Sequence, residues 1–170
     1  METILYSKYT DIRPFLKSGD FILVKGKGNL MSKVTKLWTK SPYFHAAIVF
    51  SIRVGEEVRW MVLEQHIGGQ RIVSLSTYCD FDLFRLDIDF VKLSPHLIES
   101  TGKVPYAYGD FISIGLGESL KLKLPDFKGE VCSTLVARFL NLGGYSVDTQ
   151  ISPAGLYNRF KDKLIFKVRS

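Results

Sequence analysis

The chain has 170 residues, with 46% hydrophobic and 24% charged residues, enough for one well-buried core and too apolar for a disordered segment. Its 23 Lys and Arg against 17 Asp and Glu give a net charge of +6, which favours acidic partners only weakly because the basic residues are scattered rather than massed. No apolar run approaches the roughly 20 residues of a spanning helix, and Met1-Glu2-Thr3 opens no basic-then-apolar leader, so a cytoplasmic protein without a transmembrane segment is expected.

No repeat, low-complexity tract or linker interrupts the chain, so residues 1–170 are expected to form a single domain. The stretch up to Pro14 carries no clear pattern. Ser18-Gly19-Asp20 is a predicted turn, followed by the short apolar strand Phe21-Ile22-Leu23-Val24 and a break at Gly26-Lys27-Gly28-Asn29. Asn29 is suited to cap a helix with apolar positions Leu30, Val34, Leu37 and Trp38, which Ser41-Pro42 would end. His45–Arg53 and Val58–His66 read as two strands joined at Gly55-Glu56 into a hairpin, apolar on both faces and so placed inside the sheet. Gly68-Gly69 turns the chain into further short strands at Arg71–Ser76 and Asp82–Asp87. Ser94-Pro95 reads as a cap plus first-turn proline of a helix closed by Gly102, and a short helix is expected at Tyr108–Ile114. Cys132 opens a helix with Leu135, Val136, Phe139, Leu140 and Leu142, closed by Gly143-Gly144. Ser152-Pro153 starts another, running to Phe160, and Leu164–Val168 reads as a last strand. Strands first and helices later imply an α+β fold with a mostly antiparallel sheet.

The two cysteines, Cys79 and Cys132, form no Cys-x-x-Cys pair. Cys132 lies at a helix start, on the face of Leu135 and Val136, where unpaired backbone N–H groups favour a thiolate or an oxyanion. The bland alternative is a small buried core residue. Cys79, beside Asp80 and Asp82, reads as a bystander. A thiol nucleophile needs a base, and among His45, His66 and His96 the first opens the inner strand. With the hairpin centred between Gly55 and Glu56, Ala47 faces Glu64 and His45 faces His66, so His45, Glu64 and His66 share one face. Glu64 in the apolar run Met61-Val62-Leu63 is costly unless paired, and an imidazolium would pair it. A slip of one residue would separate them. His45, His66 and Cys132 would make a zinc site only if all three converged, and neither a metal nor another cofactor is expected.

Several blocks in order resemble one family. They are Gly19-Asp20-Phe21-Ile22-Leu23-Val24, then Thr39–Val49 with His45 inside it, then Val62-Leu63-Glu64, and then Tyr106-Ala107-Tyr108-Gly109-Asp110. Val131-Cys132-Ser133-Thr134-Leu135-Val136 with Gly143-Gly144, and Ser152-Pro153-Ala154-Gly155-Leu156-Tyr157, complete the series. Over residues 17–160 the chain resembles the circularly permuted papain-like proteins, the YiiX-like branch of the superfamily that includes NlpC-type cell-wall peptidases; His45 precedes Cys132 by 87 residues, the permuted order. Gln65-His66 departs from the small residue usual after the acid and leaves His66 a competitor for the third position.

The resemblance implies a permuted papain-like α+β fold, with a small barrel-like sheet packed against the nucleophile helix. It also implies a cysteine hydrolase, a peptidase or amidase with catalytic Cys132, His45 and Glu64 working through an acyl-enzyme. Tyr43 (two residues before His45 and on its face if the strand is regular), His66 and Ser133 are the expected substrate-binding residues. The expected substrate is a peptide or peptidoglycan-type amide, without specific nucleic-acid binding. A lipid acyltransferase or lipid amidase is the alternative within the superfamily, and a catalytically silent binding module the alternative outside enzymes.

Overall fold

The chain folds around one sheet whose strands are buried on both faces where they matter most. The structure is a computed structural model and describes residues 5–25, 41–66, 69–99 and 131–169. The strands are β1 (Leu5–Ser7), β2 (Phe21–Lys25), β3 (Tyr43–Val54), β4 (Glu57–His66), β5 (Gly69–Ser74), β6 (Phe81–Phe84) and β7 (Leu164–Val168), and the helices α1 (Tyr9–Ile12), α2 (Phe90–Glu99), α3 (Cys132–Leu142) and α4 (Pro153–Phe160). The strands lie in the order β1-β7-β6-β2-β3-β4-β5. Among the described strands only the β1–β7 pair is parallel; the other pairs are antiparallel. The fold is therefore α+β, as expected, but the sheet is open: β1 and β5 end the order instead of closing a barrel.

Phe21, Ile22, Leu23 and Val24 are consecutive and all buried, which requires cover on both sides of β2. On one face Phe21, Leu23, Ala46, Ile48, Phe50 and Phe84 pack against Leu135, Val136, Phe139 and Leu140 of α3 and Leu156 and Phe160 of α4. On the other, Ile22, Val24, Ala47, Val49, Val62 and Leu83 pack against Ile12, Leu16 and Leu75. At Gly19, with φ +99°, the N–H donates to the Val49 carbonyl at 2.9 Å, a turn a side chain would strain.

The β3–β4 ladder pairs Ala47 with Glu64 and Val54 with Glu57, the register read from the Gly55-Glu56 turn. One irregularity was not anticipated. On β2, Val24 and Lys25 are adjacent, yet their partners are His45 and Tyr43, so Phe44 is an extra residue forming a β-bulge. The helix prediction at Pro95 also needs correction. Residue 95 lies inside α2, which starts at Phe90, and Asp89 Oδ1 accepts from Lys92 N at 3.4 Å at its head. Proline leaves the Val91 carbonyl without its helical donor, and the Ser94 hydroxyl donates to it at 3.1 Å instead. The helix capped by Asn29, the turn at Gly68, the closing Gly102 and the helix at Tyr108–Ile114 lie outside the described residues.

Candidate active site

α3 begins at Cys132, behind an extended Val131 (φ −103°, ψ 167°) whose side chain makes no capping bond. The first-turn N–H groups are thus directed at whatever lies before the helix. The Cys132 side chain is buried, at 7% exposure, and close enough to His45 for the two to interact electrostatically. His45 comes from the first part of β3, and its Nε2 is 2.5 Å from Glu64 Oε2. Since Glu64 occupies Nε2, Nδ1 is the nitrogen left for the sulfur.

Glu64 has no exposed side-chain surface, yet every approach to its carboxylate is filled by a donor. Arg71 Nε donates to Oε1 at 2.7 Å, and the Tyr78 hydroxyl donates to Oε2, the oxygen that also meets His45. The Tyr78 ring stacks on the imidazole at a centroid distance of 6.0 Å and an angle of 26°. Burial alone would lower the His45 pKa, but its interactions with Cys132 and with the Glu64 carboxylate together raise it to about 10. Burial alone would raise the Glu64 pKa, and the hydrogen bonds and charge of His45, with the Tyr78 and Arg71 donors, hold it down at about 2. The pair is an imidazolium facing a carboxylate.

Of the residues singled out from sequence, Cys132, His45 and Glu64 come together. His66 is exposed at the end of β4, opposite Gly69, and among the described residues no hydrogen bond joins it to Glu64 or His45. Ser133 is buried at 1% exposure. Tyr43 does not share the face of His45. The Phe44 bulge turns it into the helix-facing cluster, where its ring stacks on Tyr157 at 4.9 Å and its hydroxyl donates to Asp82 Oδ2 at 2.5 Å. Cys79 is exposed and free. Arg71 and Tyr78 escaped sequence reasoning. Arg71 was within reach of it, because the β4–β5 pairing sets Arg71 directly opposite Glu64. Tyr78 follows the 3-10 turn Leu75–Thr77 and carries no periodic signal.

An open, mostly antiparallel sheet with helices packed on it is an α+β arrangement already present among solved structures. The metalloprotein yiiX from Escherichia coli O157:H7 shares it, with a TM-score of 0.55 and 18% identity over 91% of this chain and 88% of that one. At that identity the likeness establishes the fold. No family profile matches the chain, and no curated protein matches it. No helix among the described residues is long and apolar enough to cross a membrane.

Proposed function

We propose that the chain is a thiol hydrolase of permuted papain-like type, cleaving an amide in a peptide or cell-wall fragment through Cys132, His45 and Glu64. The observation that carries the reading is His45 held between the Cys132 side chain and Glu64, with the carboxylate itself fixed by Arg71 and Tyr78. A buried cysteine of purely structural use needs no charged histidine against it. The order of the residues, His45 before Cys132, supports the permuted assignment.

In the reaction, His45 starts protonated, holding the Cys132 proton on Nδ1, and the thiolate left on Cys132 attacks the amide carbonyl. The negative charge on the carbonyl oxygen develops against the backbone N–H of Cys132 at the head of α3. His45 returns its proton to the departing amine as the C–N bond breaks, leaving a thioester. Water, deprotonated by His45, then hydrolyses that thioester, releasing the acid and restoring the thiolate beside a protonated His45. Glu64 stabilises the imidazolium throughout and keeps Nδ1 aimed at sulfur. Although yiiX is described as a metalloprotein, among the described residues no group of three or more His, Cys, Asp or Glu is placed to hold a metal ion. The donor set does not fit one, because Glu64 already serves three donors and His66 stands apart.

The test is labelling with a thiol-reactive amide-mimetic probe, read by mass spectrometry. Labelling is expected at Cys132, lost in Cys132→Ala and strongly reduced in His45→Ala. Labelling of Cys79 alone would sink the enzyme reading. Parallel incubation with peptides and phospholipids is expected to release peptide fragments; acyl transfer from phospholipid instead would favour the lipid alternative.

A further inference from the structure

Tyr78 meets both members of the His45–Glu64 pair. Its hydroxyl donates to Glu64 Oε2, and its ring lies over the imidazole at a centroid distance of 6.0 Å and an angle of 26°. Oε2 is also the oxygen 2.5 Å from His45 Nε2, whereas Oε1 serves Arg71. We infer that Tyr78 is a positioning residue that tempers the pull of Glu64 on His45, so that the imidazolium releases its proton readily to a departing amine. The inference rests on the thiol-hydrolase reading and concerns the regulation of its proton-transfer step.

Two donors at one oxygen draw on the same charge. The positive end of the Tyr78 O–H dipole sits at Oε2, beside the imidazolium N–H, and offsets part of the attraction between His45 and the carboxylate. Without that hydroxyl, more of the Oε2 charge would fall to His45, and its proton would be held more tightly. The proton has to leave during turnover: it passes from His45 to the leaving nitrogen as the C–N bond electrons move onto that atom. A general acid works best with a pKa near the operating pH. His45 is already held at about 10 by Cys132 and Glu64, so any further tightening slows the step. Among the described residues, the other charged and titratable groups around the pair are Cys132 on α3, Arg71 on β5 and His66 on β4. Burial, then the bond to Glu64 and its charge, push the Tyr78 hydroxyl above its ordinary range, so it remains a donor wherever His45 titrates.

The turn before Tyr78 fixes its approach. Leu75 is fully buried, and Tyr78 N donates to the Leu75 carbonyl at 3.1 Å. The ring then restricts rotation of the imidazole while the hydroxyl restricts the carboxylate.

The test is an NMR titration of the His45 ring in the full chain, comparing wild type, Tyr78→Phe and Tyr78→Leu. The rate of Cys132 labelling by the thiol-reactive amide-mimetic probe is measured on the same samples. Tyr78→Phe keeps the ring and removes one oxygen, and the His45 midpoint should rise above the wild-type value by about half a pH unit. The sign is decisive, because a site merely loosened to water would move the midpoint down towards the ordinary histidine value. Labelling should be about tenfold slower in Tyr78→Leu, which lacks the ring, than in Tyr78→Phe. An amide spectrum unchanged away from the site verifies that each variant is folded, and the Tyr78→Phe midpoint decides the inference if Tyr78→Leu does not fold. With Cys132 labelled in the wild type, a midpoint unchanged or lowered in Tyr78→Phe, or equal labelling rates in the two folded variants, would overturn the inference and leave the thiol-hydrolase reading standing. Absence of Cys132 labelling in the wild type would overturn that reading and the inference with it.

Discussion

Glu64 has two oxygens and three donors, and the allocation determines how the site titrates. The neighbouring Cys132 and the Glu64 charge together keep the imidazole protonated far above the ordinary range. Glu64→Gln removes the charge but keeps the shape. The loss of the His45 ring proton, expected near pH 10 in the wild type, should move down towards the ordinary histidine value of about 6.5 when followed by NMR. Turnover of a cleaved amide should fall by roughly 10²- to 10⁴-fold. The same shifts govern stability. The Glu64 contribution is present above its unfolded value of 4.5 and is lost as pH falls through about 2. The His45 contribution is present below 6.5 and is lost as pH rises through about 10. Unfolding free energy from urea titration should therefore be highest between about pH 4.5 and 6.5 from this pair, and Glu64→Gln should flatten both limbs.

At the scale of elements, each helix depends on how its ends and interior meet their hydrogen-bonding needs. Ser152 caps α4 by accepting from Gly155 N at 3.0 Å, with Pro153 in the first turn. Ser152→Ala should cost about 1 kcal/mol in denaturant unfolding. Pro95→Ala should act in the opposite sense, stabilising the chain by about 1–3 kcal/mol, because an alanine N–H restores the bond to the Val91 carbonyl. These two prolines show what could be read from the sequence. Both follow serine, and Ser-Pro reads as a helix start in each case. At Ser152-Pro153 tertiary packing agrees with that local signal. At Ser94-Pro95 the apolar residues Phe90 and Leu93, packed against the main core cluster, extend the helix past it. The β3–β4 register was legible because Gly55-Glu56 fixes a two-residue turn and every pair follows from it. The bulge was not legible, because nothing in Tyr43-Phe44-His45 distinguishes a bulged residue from a regular one.

Over the whole molecule, the sheet is secured where the chain enters it. Asp20, buried at 1% exposure just before β2, receives two bonds from Arg85 just after β6, at 2.8 and 2.7 Å, and Arg85 also reaches the Phe15 carbonyl at 2.6 Å. Arg85→Ala would leave Asp20 buried without its cation, and unfolding should show a loss of about 3 kcal/mol. Arg85→Lys should recover only part of it, since one ammonium cannot reproduce the paired guanidinium bonds. The α+β class followed from strands preceding helices along the chain, and the inner position of the hairpin from apolar residues on both strand faces. The open edges did not, because alternation within a strand says nothing about what lies beside the outermost one.

The bulge at Phe44 sets Tyr43 and His45 out of phase with each other along a single strand. Phe44 acts there as a spacer, and what it supplies is one unit of chain length. Replacing its side chain changes the packing of one ring, and deleting the residue would make Tyr43 and His45 consecutive, still on opposite sides of a regular strand. Pairing all three residues regularly is what would bring Tyr43 and His45 into step and direct both to the same side. A lineage of such chains could therefore revise the surroundings of Tyr43 or of His45 by point substitution, and the changes selected against would be those that straightened the bulge while keeping its extra residue.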